Sequence, residues 1–222
     1  MPHIFLSYPM SAYAPRPPAI PAPGLTDFLT VEKNGAHVQR LVFYNHTGTH
    51  LDTAAHVLVE GVSIAAFSPD DLIFTEIAVC EFNLPDGFHI GPEQLVPYEK
   101  KLAASDMAIL RFGVDEIRKN EPERFSRDMP GFTPDAARWL RERCPLMRCL
   151  GIDLPSFAVI SDLEHTMSAH NIFLEGNERK MLIIEEMKLD CIPAQGFKQI
   201  IISPWLYHGM DSGPCTVWGE VL

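Results

Sequence analysis

His46-Thr47-Gly48-Thr49-His50-Leu51-Asp52-Thr53-Ala54-Ala55-His56 places three imidazoles and one carboxylate within eleven residues of a chain that has nine histidines in all. Neutral imidazole nitrogen and carboxylate oxygen are the usual ligands of zinc or manganese, and a hydrolytic centre also needs a base beside its ion. Polar surface loops favour Asn, Ser and Pro over histidine. The density therefore points to a metal-dependent active site.

Spacing constrains how this segment folds around an ion. On a straight strand His46 and His50 would share a face but lie roughly 13 Å apart, at about 3.3 Å per residue. A helix would stack His46 over His50 at i, i+4 but turn Asp52 to nearly the opposite side. The chain must bend, and Gly48 is the residue that permits unusual torsions. Beyond the bend, either strand alternation or a turn could aim His50 and Asp52 at one point, with His56 nearby as a non-ligand base.

Two later segments carry further donors. Leu163, Met167, His170 and Leu174 follow i, i+3, i+4 spacing, so His170 lies on the apolar face of a helix that stops near Gly176. Met181-Leu182-Ile183-Ile184-Glu185-Glu186-Met187 reads as a buried strand whose two acids face opposite ways, one of them toward solvent.

The pattern His-x-Gly-Thr-His-x-Asp-x-x-x-His resembles the signature of the cyclase-family metal-dependent hydrolases, which include bacterial kynurenine formamidases and isatin hydrolases. Leu110-Arg111-Phe112-Gly113, Pro130-Gly131-Phe132-Thr133-Pro134-Asp135 and Gly151-Ile152-Asp153-Leu154-Pro155-Ser156 resemble further family segments, so the likeness runs from about Leu41 to the C-terminus. It implies that His46, His50, Asp52, His170 and Glu185 bind metal, that Asp52 and Glu185 bridge two ions, and that His56 is the catalytic acid/base. The interval from His170 to Glu185 is longer than the family pattern because of Glu175 to Lys180, which leaves Glu186 as the alternative to Glu185. Ala54 and Phe112 stand where proline and threonine are usual, and Cys215 follows Gly213-Pro214 where Ser-Pro and a basic residue are common. The early Trp-Pro-Gly segment of the formamidases is missing. In its place Tyr13 to Gly24 is proline-rich and reads either as an extended surface arm or as a cover for a site mouth, with Tyr13 or Phe28 contacting substrate.

Composition narrows the class. At 222 residues and 46% hydrophobic content, residues 1–222 read as a single domain, with 1–37 as a proline-rich N-terminal arm. A net charge of −11 argues against nucleic acid or an anionic membrane as partner. Arg138, Arg141, Arg143 and Arg148 read as a solvated helix face balanced by Asp135 and Glu142. The N-terminus lacks a basic region followed by an apolar core, and no stretch is apolar enough to span a bilayer, so a cytoplasmic location is expected. Cys80, Cys144, Cys149, Cys191 and Cys215 form neither an even disulfide set nor a zinc pair and read as reduced core residues.

Strands are expected near Val38 to Tyr44, Ile73 to Phe82, Met107 to Arg111, Cys149 to Asp153, Leu182 to Met187, Gln199 to Ser203 and Thr216 to Val221. A helix is expected over Thr133 to Arg143, with Thr133 as N-cap and Pro134 in the first turn. Mixed elements indicate an α/β domain. The resemblance adds a mixed β-sheet with a barrel-like core flanked by helices, of the swivelling β/β/α type, assembled as a homodimer or homotetramer. The expected function is hydrolysis of a C–N amide bond in a small, aromatic metabolite through a metal-activated hydroxide, with two zinc ions per chain and manganese as the other candidate. A metal-dependent cyclase or a lyase acting on a small carbonyl substrate is the alternative.

Overall fold

Ile73–Phe74 and Ile77–Glu81 are the two terminal strands of one long hydrogen-bonded path, yet only Thr75 and Glu76 separate them. Three residues of chain reach at most about 10 Å, so a sheet with these strands at its ends must curl back on itself. In the computed structural model, which describes residues 2–16, 20–176 and 178–222 and the backbone alone at Leu163 and His165, it does so. Met1 and residues 17–19 of the expected arm lie outside the described residues, as does Asn177.

The path runs Ile73–Phe74, Phe197–Pro204, Ser212–Val221, His50–Asp52, Leu182–Glu185, Cys149–Ile152, Met107–Arg111, Ile77–Glu81, and His3–Phe5 also pairs with Ser212–Val221. The last four strands are parallel and the others antiparallel, giving a mixed, nearly closed barrel. Asp106 fastens the seam. Its carboxylate accepts from the backbone of Thr75 (3.4 Å) and Glu76 (3.1 Å), and Arg148 donates to it at 3.1 Å. This seam is why the single strand expected over Ile73 to Phe82 is two strands.

Period-two alternation sorts the apolar residues into two cores. Met107, Ile109, Leu182, Ile184, Leu51, Phe74, Ile200 and Val217 fill the barrel. Ala108, Leu110, Leu150 and Ile183 face outward, beneath helices Pro134–Arg143 and Leu163–Leu174, which contribute Ala136, Leu140, Ala169 and Phe173. The first of these helices starts as its sequence requires, with Thr133 Oγ1 accepting from the Ala136 amide at 3.2 Å. Short helices at Asp115–Asn120 and Pro122–Asp128 were not expected, because one or two turns carry too little periodicity to read.

Two expectations need correction. Arg141 and Arg148 are not a solvated face: Arg141 donates to the Phe173 carbonyl (2.8 Å), and Arg148 to the carbonyls of Asp71 and Ile73 as well as to Asp106. Cys80, Cys144, Cys149 and Cys215 are buried thiols, but Cys191 is exposed. The strand expected near Val38 to Tyr44 is present as Val38–Val42; it pairs with Gly24–Leu29 in a separate hairpin, with Phe28 74% and Leu25 61% exposed. Within residues 1–37 the described elements are the barrel strand His3–Phe5, the hairpin strand Gly24–Leu29 and the helical turn Val31–Asn34. Among the described residues no helix is long and apolar enough to cross a membrane.

Gly131 lies against the backbone of residues 158 and 159, where an added Cβ would sit 2.2 Å from the Val159 nitrogen. Gly131→Ala is expected to cost about 1–3 kcal/mol and to lower the thermal midpoint by roughly 3–10 °C. Gly24→Ala, with open space around it, is the control for the same melt.

Candidate active site

The bend required by the sequence occurs at Gly48, whose φ is +67°. It is followed by the three-residue strand His50–Asp52, so alternation rather than a turn sends His50 and Asp52 to one side and Leu51 into the barrel. A three-residue strand is too short to announce itself in sequence. Its antiparallel neighbour sets Glu185 directly opposite His50 and Ile183 opposite Asp52, while Ser212 pairs with Asp52 from the other side. Helix Leu163–Leu174 lies over this face and delivers His170.

The six expected residues converge. Glu185 Oε2 lies 3.2 Å from His50 Nε2, and its Oε1 lies 3.2 Å from His170 Nε2 while accepting from the Phe157 amide at 2.7 Å. Asp52 Oδ1 is 3.3 Å from His46 Nδ1 and 3.7 Å from His50 Nε2. Ligand-capable atoms of His50, Asp52 and Glu185 form one compact group, and those of His46, Asp52 and His56 form a second that shares Asp52. His170 belongs to neither and is joined through Glu185. His56 packs 4.3 Å from the His46 ring, centroid to centroid.

Each of the three imidazoles expected to bind metal has its outer nitrogen engaged. His50 Nδ1 bonds the Gly48 carbonyl (2.8 Å), His170 Nδ1 bonds the Thr166 carbonyl (2.7 Å) and His46 Nε2 bonds Ser212 Oγ (2.9 Å). A carbonyl only accepts, so His50 and His170 carry a proton on Nδ1 and turn Nε2 inward, towards the carboxylates. His50 Nε2 and both oxygens of Asp52 are buried and make no hydrogen bond among the described residues. Buried polar atoms are costly without partners. Imidazole nitrogens anchored on their far side and facing bare carboxylate oxygens are a donor set that suits a divalent transition metal.

Sequence reasoning missed Asp211 and Ser212. Asp211 Oδ2 lies 3.3 Å from His56 Nδ1 and its Oδ1 accepts from Asn45 at 2.9 Å. An Asp-Ser-Gly run reads as an ordinary turn, and only the pairing of Ser212–Val221 with His50–Asp52 brings it here. The two adjacent acids also differ from expectation, since neither faces solvent: Glu185 and Glu186 are each 4% exposed and line the same cavity. That cavity, about 260 Å³, has walls of Pro155, Ile160 and Met167, with Pro15, Arg16 and Ile20 of the arm at its mouth. Tyr13 and Phe28 are not among its lining residues. A larger cavity of about 870 Å³ touches Thr47 to Thr49 from the far side and contains none of the six residues.

Charge is balanced tightly here. Burial opposes the charged form of His46, but the nearby carboxylates of Asp211, Asp52 and Glu185 outweigh it and push its pKa up to about 10. His50 and His170 are likewise raised against burial, chiefly by Asp52 and Glu185 respectively. Burial would raise the carboxylates, but the imidazoles hold both Asp52 and Glu185 below the usual range.

A nearly closed mixed barrel with a His/Asp/Glu cluster on its outer face, beneath a helix, defines an α/β protein with a candidate divalent-metal centre. The sequence profile of the Cyclase family matches residues 4–159, and the chain belongs to that family. It is 22% identical over 191 residues to a kynurenine formamidase of Bacillus cereus, covering 82% of this chain and 79% of that protein. Isatin hydrolase A from Labrenzia aggregata, solved bound to benzyl benzoate, superposes with a TM-score of 0.82 at 18% identity over 99% of this chain and 93% of that one. A structure described as a potential metal-dependent hydrolase with cyclase activity superposes with a TM-score of 0.69 at 18% identity, covering 98% and 96%. These likenesses establish the shared fold.

Protons and metal compete for the same nitrogens. Loading chelator-stripped protein with zinc or manganese at neutral pH is expected to release roughly two to three protons per chain, measurable by calorimetry in buffers of different ionisation enthalpy. In stripped protein the raised His46 contributes stability that is fully present below the ordinary 6.5 and lost as pH climbs through about 10. The melting temperature of stripped protein should fall across that window and that of loaded protein should not. No proton release on loading would contradict the donor set.

Proposed function

We propose that the chain is a metal-dependent hydrolase that cleaves the C–N amide bond of a small aromatic metabolite: a formamide, anilide or cyclic amide. The observation that carries this reading is the convergence of three anchored imidazoles on two buried carboxylates at the floor of a small, apolar-walled cavity. The likeness to a kynurenine formamidase and to isatin hydrolases supports it.

His46, His50, Asp52, His170 and Glu185 would hold divalent metal, zinc in preference to manganese, which would supply acidification of water and polarisation of a carbonyl oxygen. His56 is the acid/base. Its Nδ1 is oriented by Asp211, an arrangement in which a carboxylate fixes a base. His56 Nε2 takes the proton of the attacking water as the C–O bond forms, then gives it to the leaving nitrogen as the C–N bond breaks. Pro155, Ile160 and Met167 pack against the apolar body of the substrate and exclude bulk water.

The hairpin supports a homo-oligomer, dimer or tetramer. A lone two-stranded hairpin is at best marginally stable in water, and Leu25, Phe28, Val38 and Leu41 are exposed on it. A second copy would cover them. Four buried thiols without disulfides fit the reducing cytoplasm.

His56→Ala is expected to lower kcat on a formanilide panel about 10²–10⁴-fold while keeping its metal, whereas His50→Ala loses both metal and turnover; equal metal loss in the two variants would refute the division of roles. Appearance of amine without metal dependence would remove the metal reading altogether. For the assembly, light scattering of Leu25→Ser/Phe28→Ser/Leu41→Ser should report a smaller species than wild type, and a monomeric wild type would sink the oligomer.

A further inference from the structure

Glu186 has φ +54° and is the single non-glycine residue in the left-handed region among those described. That backbone is disfavoured for any residue with a Cβ, which crowds the neighbouring carbonyl. Its effect is a change of phase along the strand. Leu182 and Ile184 point into the barrel while Ile183 points outward and Glu185 into the site. Continued alternation would send Glu186 into the barrel and Met187 to the site. Instead Met187 packs in the barrel core and Glu186 joins Glu185 at the cavity, so one step of the alternation is skipped, as at a bulge.

Contacts on both the side chain and the backbone hold this kink. Arg118 donates to Glu186 Oε1 through Nε (2.9 Å) and Nη2 (2.5 Å). The guanidinium lies 3.6 Å over the Tyr8 ring, and Tyr8 donates its hydroxyl to Asp115 at 2.5 Å. The Glu186 amide donates to the Leu154 carbonyl (2.8 Å), and its carbonyl accepts from Thr49 Oγ1 (2.6 Å), which in turn accepts from the Tyr8 amide. Thr49 immediately precedes His50. The kink is thus tied to Glu185 along the chain and to His50 across the sheet, the pair whose carboxylate and Nε2 stand 3.2 Å apart.

We infer that Arg118 and Glu186 form a positioning clamp: their ion pair holds the left-handed turn that sets Glu185 in register with His50. Neither residue is a metal donor in this account. It rests on the metal-centre reading above and concerns how that centre is shaped.

A glycine adopts positive φ without a clamp, and this separates a conformational role from a merely stabilising ion pair. Zinc affinity of stripped protein, measured by competition with a chromogenic chelator, is compared for wild type, Glu186→Ala, Glu186→Gly, Arg118→Gln and Arg118→Gln/Glu186→Gly, with a thermal melt of each. Glu186→Ala and Arg118→Gln are expected to bind zinc about 10–100-fold more weakly. Glu186→Gly should stay within about threefold of wild type, and the double variant should regain most of what Arg118→Gln loses. Glu186→Ala binding like wild type, or Glu186→Gly binding no better than Glu186→Ala, overturns the clamp while leaving the metal centre standing. If Glu186→Ala does not fold, Arg118→Gln against the double variant makes the same comparison. A wild type that takes up no zinc removes the metal centre and the clamp with it.

Discussion

Asp52 and Glu185 are buried carboxylates on adjacent antiparallel strands, and the surrounding structure answers the charge they carry. A single ionised acid in a protein interior is expensive, and two side by side are worse unless cations share the space. Three imidazoles face them, and a fourth, His56, stands behind with Asp211. With protons as counter-ions His46, His50 and His170 are driven towards the charged form, and the same nitrogens suit a divalent metal. The site is thus an electrostatic unit whose members are costly to remove singly, because each loss leaves an opposite charge buried and uncompensated.

Placing those groups is the work of two short neighbouring strands, His50–Asp52 and Leu182–Glu185. Alternation gives the barrel Leu51, Leu182 and Ile184 and leaves His50, Asp52 and Glu185 on the opposite face. Two backbone exceptions bracket the arrangement. Gly48 bends the chain just before His50, and Glu186 kinks it just after Glu185. Regular secondary structure aims side chains in only two directions per strand, so gathering these side chains around Asp52 and Glu185 calls for such departures at the strand ends.

The N-terminal segment serves both the barrel and the site. His3–Phe5 adds a strand to Ser212–Val221, Pro15, Arg16 and Ile20 border the candidate site, and the hairpin then leaves the body with its apolar residues uncovered. A monomer would carry an exposed apolar patch of the kind that marks an interaction surface. The stacking of Phe43 on Trp205, 5.3 Å between centroids, fixes the root of the hairpin against the barrel rather than leaving it on a free tether.

Much of this was legible in the chain itself. The density of His46, His50, Asp52 and His56 named a metal site, since few other settings concentrate those donors; the need for a bend at Gly48 followed from reach alone; and the apolar spacing around His170 and the Thr133-Pro134 start of a helix are local signals that local physics honours. What the sequence could not decide was everything that depends on register between distant segments. Asp211 and Ser212 enter the site only because Ser212–Val221 pairs beside His50–Asp52. Where Glu185 and Glu186 point depends on a single left-handed residue, Glu186, whose side chain and carbonyl bond Arg118 and Thr49, far away in the chain. Two of the four arginines that looked solvated, Arg141 and Arg148, are tied to carbonyls of packed neighbours, and one expected strand is split where Asp106 fastens the barrel seam. Residue type and spacing carry donor chemistry and helix periodicity because both are local; which donors meet is set by strand pairing, which the tertiary fold alone imposes.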